Sequence, residues 1–237
     1  MESKNAIILC SGGIDSVTTA YYAKKKLHCN SLIILFFNYN QRTLKQERKA
    51  SKKCAESLKA EFIEINLPWN KIMSQSLLNK KQKLNKIKRS ELKDTKKESL
   101  KYYVPARNII FLSYAISLAD SLKISKNKIY DIFVGFKNEG GESYPDTTEK
   151  FVSIMNNLQD ILKQKSKILA PLINKDKEDI ISIGTKLGVS FKDTYSCYNG
   201  NALHCGCCLS CRLRQEGFYW ANIPDPTKYK GRMPDFR

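Results

Sequence analysis

A chain of 237 residues and 27.2 kDa fits one large domain, or one domain with a small appendage, and is long enough to bury a core. Hydrophobic residues make up 42%, and no apolar run approaches the ~20 residues of a membrane span, so a helical membrane protein is excluded. The formal charge of +18, from 41 basic and 23 acidic residues, is compatible with RNA, with an acidic substrate or with a lysine-rich surface.

The start, Met1 to Asn5, runs directly into an apolar stretch, so no signal peptide and no membrane anchor are expected. A cytoplasmic location follows, and there the eight cysteines are reduced and their clusters read as metal ligands before disulfides. Residues 6–9 read as a buried strand and residues 17–23 as the first turns of a helix. Between them lies Cys10-Ser11-Gly12-Gly13-Ile14-Asp15-Ser16. Strand, glycine turn and helix together aim unpaired backbone N–H groups at an anion. Two glycines let the main chain approach a ligand, Ser11 and Ser16 add hydroxyl donors, and Asp15 adds a carboxylate suited to Mg²⁺ near phosphates. Neither G-x-x-x-x-G-K-[ST] nor G-x-G-x-x-G is present, so this is a phosphate cradle of another kind.

Further on, residues 32–37 form a continuous apolar run typical of a buried parallel strand, followed by a helix over 44–58 and a strand over 61–65. The alternation predicts an α/β fold, a Rossmann-like parallel sheet with flanking helices. Residues 79–98 carry nine basic and three acidic residues and no aromatic, and read as a mobile basic insertion. A helix predicted over 107–122 is apolar nearly all round, which predicts burial and an inward-facing Arg107, as a phosphate or carboxylate ligand or as a buried structural ion pair. After a strand at 129–134, residues 135–146 read as a lid or base-pocket loop, or as a surface loop in which Asp146 or Thr147 caps the next helix, over 148–163. Ile168 and Leu169 give a short strand, and Asp176 caps a helix to Leu187. Lys177 opposes the dipole of that helix, which a bound phosphate would offset; the alternative is a solvated lysine.

The C-terminal part contains Cys197-x7-Cys205-x2-Cys208-x2-Cys211, enough thiolates for a closed tetrahedral shell and therefore a structural metal. Zn²⁺ is the expected ion, with an iron–sulfur cluster as its chemical rival. Cys207 reads as a free thiol, His204 as a redundant ligand, and Cys10, Cys29 and Cys54 as small packed residues. The organisation expected is a phosphate-binding α/β domain over 1–190, containing the 79–98 insertion, and a cysteine-rich zinc-binding helical segment over 191–237.

The string Ser11-Gly12-Gly13-Ile14-Asp15-Ser16 resembles the PP-loop of the ATP pyrophosphatase superfamily. With Tyr39-Asn40-Gln41-Arg42, Val104-Pro105-Ala106-Arg107-Asn108, Tyr144-Pro145-Asp146, Pro171-Leu172, Lys177, Cys197-Tyr198-Asn199-Gly200, Cys205 to Arg212 and Gly217 to Thr227, the chain resembles the 7-cyano-7-deazaguanine synthase family of the queuosine and archaeosine pathways. Asn40 and Thr147 depart from the glycine and cysteine usual there. The resemblance implies an adenine nucleotide alpha hydrolase-like fold and an ATP-dependent ligase, with ATP and Mg²⁺, 7-carboxy-7-deazaguanine and ammonia as small-molecule substrates. It implies ATP contacts along Cys10, Ser11, Gly12, Gly13, Ile14, Asp15, Ser16 and Val17, charge neutralisation by Arg107 and Lys177, and nucleotide or deazapurine contacts at Gln41, Arg42, Tyr144 and Asp146. A homodimer is expected, with Phe218, Tyr219 and Trp220 as an apolar-aromatic surface for it. Direct nucleic-acid binding is not required; a PP-loop enzyme acting on tRNA itself and a non-enzymatic zinc-containing binding module are the alternatives.

Overall fold

The computed structural model describes residues 4–69, 74–80, 82–137, 144–162 and 165–230. Five strands, β1 (Asn5–Leu9), β2 (Ser31–Asn38), β3 (Glu61–Asn66), β4 (Tyr130–Val134) and β5 (Ile168–Leu169), pair in parallel in the order β3-β2-β1-β4-β5. The helices are α1 (Ile14–Tyr21, prolonged by a π turn over Tyr22–Lys26), α2 (Leu44–Leu58), α3 (Lys96–Leu100), α4 (Arg107–Lys126), α5 (Glu149–Ile161), α6 (Lys177–Lys186) and α7 (Leu209–Trp220). This is the Rossmann-like arrangement expected, and every connection between neighbouring parallel strands crosses a face of the sheet.

The central strands are apolar at successive positions because both faces are covered, and the period of two divides them between two cores. Ile7, Ile33, Leu35, Phe37 and Ile132 face α4 and α5. Ala6, Ile8, Ile34 and Phe133 face the side built from α1, α2 and α6, with Phe218 of α7. From β1 the chain builds outward through β2 to β3, then returns to place β4 on the other side of β1. The reversal opens a crevice at the carboxyl ends of β1 and β4, where ligands of such sheets bind.

Three expectations are corrected. The helix α4 is not buried all round: Ile109, Tyr114 and Ile124 are exposed, while the Leu112, Ala115, Ile116, Ala119 and Leu122 stripe is buried in the core and Ile110, Phe111 and Leu118 pack against it half-buried. The basic stretch is not a free insertion. Leu84 and Ile87 are buried in the core, Ile87 N–H donates to the Cys207 carbonyl at 2.7 Å, and Arg212 Nε donates to the Ile87 carbonyl at 2.8 Å. Two apolar side chains three residues apart fasten the backbone while Lys83, Lys86 and Lys88 around them stay in water. The cap of α5 is Thr148, whose hydroxyl accepts from Phe151 N–H at 3.1 Å. Part of the predicted lid, residues 138–143, lies outside the described residues, as do residues 163 and 164.

Gly12 sits at φ +78°, and a Cβ there would lie 2.6 Å from Ala50 Cβ and 2.8 Å from Ser51 N. The phosphate loop therefore rests directly on α2. Gly12→Ala combines left-handed strain with a clash, and is expected to lower unfolding stability by about 2–4 kcal/mol. A shifted denaturation midpoint with an unchanged slope checks this.

Candidate active site

The loop after β1 is held from three sides. Cys10 N–H donates to the Leu35 carbonyl of β2 at 3.0 Å, Ser51 Oγ of α2 donates to the Cys10 carbonyl at 2.9 Å, and Tyr195 N–H donates to the Gly12 carbonyl at 2.9 Å. Within it Gly13 N–H meets Ser11 Oγ at 3.4 Å, the Ser11 and Ser16 hydroxyls lie 3.4 Å apart, and Ser16 Oγ donates to the Gly13 carbonyl at 3.2 Å. Gly13 is the N-cap of α1 in extended conformation, and no side chain caps that helix. An uncapped helix start beside two hydroxyls is an anion site.

In front of the loop is a cleft of about 330 Å³. Cys10, Ser11, Gly13, Ile14, Asp15 and Ser16 line one side of it. Arg107, Asn108, Asp146, Lys177 and Tyr195 also line it, the last two in contact with the loop at Asp15 and Gly12. The structure thus brings Arg107, Lys177, Tyr144 and Asp146 to the phosphate loop across long stretches of chain. Gly12 and Val17 stand behind the lining, Gly12 against α2 and Val17 in the core.

Lys177 is neither solvated nor free. Its Nζ lies 2.7 Å from both carboxylate oxygens of Asp15. The dipole mismatch noted at the start of α6 is therefore offset by an acidic side chain. The stem of Lys177 passes over α7 at Gly217, where a Cβ would come within 2.3 Å of Lys177 Cγ. That glycine is a positional requirement of the lysine, and its lone place in a helical pattern was the only trace of it in the sequence.

Arg107 opens α4 as expected. Its Nη1 donates to Tyr39 Oη at 3.1 Å, and its guanidinium lies over the Tyr39 and Phe111 rings at 5.5 and 5.8 Å. Its Nε is buried without a hydrogen-bond partner among the described residues. An unmet guanidinium N–H at the edge of a cleft is a vacant donor for an oxygen of a ligand. Burial pushes the Tyr39 phenol up to about 12, so it stays protonated. Asp146 is buried beside Arg107, and its Oδ2 accepts from Asn108 N–H at 3.3 Å. Tyr144 reaches the Ser99 carbonyl through its hydroxyl at 2.9 Å.

Gln41 and Arg42 are not among the cleft-lining residues. Gln41 is buried, donates to the Phe37 carbonyl at 3.0 Å and to Glu47 at 3.1 Å, and accepts from Tyr39 N–H at 2.9 Å. Arg42 Nη1 donates to the Lys80 and Gln82 carbonyls at 3.3 and 2.8 Å. The first shapes the turn that delivers Tyr39, and the second fastens the basic stretch. Glu47 and Tyr195 line the cleft without having been singled out by motif, and Tyr39 lines it where the sequence motif had drawn a role only for its neighbours Gln41 and Arg42. Glu47 had one signal, its place four residues after Thr43 on one helix face.

The four sulfurs of Cys197, Cys205, Cys208 and Cys211 lie within 4.8 Å of one another. Asn199 and Cys205 N–H groups approach Cys197 Sγ at 3.4 and 3.3 Å, and Cys207 and Cys208 N–H groups approach Cys205 Sγ at 3.5 and 3.3 Å. Backbone donors aimed at sulfur favour thiolates, so the donor set fits a metal ion bound by four sulfurs. His204 belongs to a different contact. Burial, reinforced by Arg214, lowers its pKa to about 4, and its neutral ring accepts from Ser196 N–H through Nε2 at 3.0 Å. Cys207 lies outside the sulfur cluster.

Residues 5–222 match the family model described as "Queuosine biosynthesis protein QueC". The chain is 37% identical over 235 residues to the 7-cyano-7-deazaguanine synthase of Clostridium kluyveri, covering 96% of this chain and 99% of that one. It is 38% identical over 235 residues to the synthase of the same name from Methanocaldococcus jannaschii, covering 94% and 98%. A third, from Methanobrevibacter smithii, is 34% identical over 235 residues, with 97% and 99% covered. On the strength of a match that spans both the phosphate loop and the four cysteines, this chain belongs to the QueC family of queuosine biosynthesis proteins.

Proposed function

We propose that this protein is an ATP-dependent carbon–nitrogen ligase that converts 7-carboxy-7-deazaguanine and ammonia to 7-cyano-7-deazaguanine, releasing AMP and pyrophosphate. The observation that carries this reading is the phosphate loop facing Arg107 and Lys177 across one cleft, in a chain matched to synthases of that name along nearly its whole length. No helix among the described residues is long and apolar enough to cross a membrane. Small molecules free in the cytoplasm are its substrates.

The chemistry requires what the cleft supplies. A carboxylate is a poor electrophile because its oxygen does not leave. Transfer of the adenylyl group to that oxygen makes AMP the leaving group, and ammonia then forms an amide. A second adenylation, on the amide oxygen, lets AMP depart as the C≡N bond forms. Each transfer builds charge on departing pyrophosphate. Ser11, Ser16 and the N–H groups at the start of α1 receive that charge, Lys177 neutralises it, and Arg107 directs its vacant Nε–H to a phosphate or carboxylate oxygen. Mg²⁺ accompanies ATP. Asp15 holds the lysine at the loop through both oxygens, and its carboxylate would be the protein's ligand to Mg²⁺, which would neutralise charge on the phosphates. Gln41 and Arg42 support the cleft wall, while Tyr144 and Asp146 flank the deazapurine.

Zn²⁺ is the ion we assign to the four cysteines, with a structural role. Four thiolates complete its shell, so it offers no position for a reacting atom. The homodimer remains part of the proposal. Of the three aromatic residues expected on its surface, Phe218 is buried in the core while Tyr219 and Trp220 are exposed, and a second exposed apolar group lies at Ile154, Leu158, Ile161 and Leu162 on and after α5.

Incubation with ATP, Mg²⁺, ammonia and 7-carboxy-7-deazaguanine is expected to yield the nitrile by mass, with AMP; formation of ADP alone would sink the proposal. Lys177→Met is expected to lower turnover by about 10²–10³-fold with the fold intact. A parental rate in a folded K177M protein would remove the lysine from the mechanism. Metal analysis is expected to find one zinc per chain, and Cys208→Ser to lose both the ion and thermal stability. A stable, metal-free C208S protein would refute a structural site, and iron in the parent would refute zinc.

A further inference from the structure

Conversion of ammonia to a nitrile strips all three protons from nitrogen. One leaves when the amine displaces AMP from the acyl adenylate, and two more leave between amide and nitrile. A group in the cleft has to take them. Among the described residues, the carboxylates lining the cleft are Asp15, Glu47 and Asp146. Asp15 is gripped at 2.7 Å through both oxygens by Lys177, and Asp146 is turned onto the Asn108 N–H that begins α4. Asp15 is thus paired with a cation and Asp146 with a backbone N–H, whereas the donors to Glu47 are the neutral side chains of Thr43 and Gln41.

Resting on the reaction above, we propose that Glu47 is the proton acceptor for the nitrogen in both halves of the reaction. Its position is set by packing. The turn of α2 that carries it lies against the phosphate loop, with Glu47 O only 3.0 Å from where a Gly12 Cβ would be. Thr43 Oγ1 donates to one carboxylate oxygen at 2.6 Å and Gln41 Nε2 to the other at 3.1 Å, so the group is fixed in orientation. The charged and titratable groups around it are Arg107, from the start of α4, and Tyr39, after β2, with Asp146 on the far side of Arg107. Burial raises the Glu47 carboxyl above the usual range against the pull of its two donors and Arg107. A carboxylate of raised basicity is a better acceptor near neutral pH than an ordinary one. The neighbouring Arg107 also holds the acyl or imidoyl oxygen side of the substrate, which leaves the nitrogen side to Glu47.

In each proton transfer the nitrogen lone pair is regenerated or becomes part of the C≡N bond. Each proton passes to a Glu47 oxygen: the first as AMP leaves the acyl carbon with the electron pair of the broken C–O bond, the second as the amide oxygen takes the adenylyl group and pyrophosphate departs, and the third as AMP leaves the imidoyl carbon and the C≡N bond forms. Water returns the carboxyl to its charged form between steps.

The proposal separates partial reactions that a merely structural glutamate would not. With Glu47→Gln, exchange of labelled pyrophosphate into ATP, driven by the carboxylate substrate without ammonia, involves no N–H proton and is expected to stay at the parental rate. Conversion of the supplied amide to nitrile is expected to fall by about 10²-fold or more, with amide accumulating when the reaction starts from the acid. The parent's rate is expected to rise with pH as Glu47 ionises, at a pH above the ordinary carboxylate range; that limb is expected to vanish in E47Q. Glu47→Asp is expected to recover part of the rate. Parental amide turnover in E47Q, an equal loss of exchange and amide turnover, or an unchanged acid limb would each overturn the assignment. A parent enzyme that makes no nitrile from the amide would instead overturn the reaction itself, and this assignment with it.

Discussion

At Gly12 three pieces of chain converge on an atom that is not there. The carbonyl of Glu47, the side chain of Ala50 and the backbone N of Ser51 occupy the volume a Cβ would need, and the Gly12 carbonyl accepts the Tyr195 N–H from the segment leading to the cysteines. A loop that binds phosphate through backbone N–H groups has few side chains with which to hold itself in place, so its rigidity has to come from what lies behind it. Here α2 supplies a wall and Tyr195 a tie. Preorganised donors stabilise developing charge without reorganising at the moment of reaction, and that is what a braced loop provides.

The electrostatics follow from this packing. Cations at a phosphate site must stay charged and correctly placed when no phosphate is bound. Lys177 is held by Asp15 at 2.7 Å through both oxygens, while Arg107 is held by one phenol and two aromatic faces and keeps one N–H unmet. The two arrangements differ in what a ligand must do. At Lys177 an incoming anion competes with a carboxylate; at Arg107 it satisfies a donor that is otherwise buried alone. Desolvation favours occupation of the second, because an unpaired buried donor is itself unfavourable.

Much of this was legible in the residues. Continuous apolar runs marked the buried parallel strands, the glycine turn marked the phosphate loop, and four cysteines at close spacing marked the sulfur cluster. What was not legible depended on contacts between distant stretches. Lys177 looked misplaced at a helix start until Asp15, 162 positions away, was found against it. Gln41 and Arg42 had the composition of ligand-binding residues, yet their amide and guanidinium are spent on backbone carbonyls and on Glu47. Local pattern ranks residues by what they can do; tertiary packing decides which of those capacities are already used.

The cysteine cluster and the basic stretch show how a structural site reaches the chemistry without taking part in it. Ile87 N–H is bound by the Cys207 carbonyl, and Ile87's own carbonyl by Arg212 of α7. Tyr102 and Tyr198 pack ring against ring at 4.3 Å, joining the chain before α4 to the segment just after Cys197. From the same segment, Tyr195 N–H reaches Gly12. Arg214, 1% exposed, spans Thr194, Ser196 and the Phe191 carbonyl beneath it. An ion bound by the four sulfurs would therefore fix the segment from which Tyr195 ties the phosphate loop at Gly12 and on which Gly200 packs against the Arg42 carbonyl just before α2. Since residues 191–230 contribute no strand to the five-stranded sheet, cross-linking by sulfur and metal is a physical means by which so irregular a segment becomes a rigid wall.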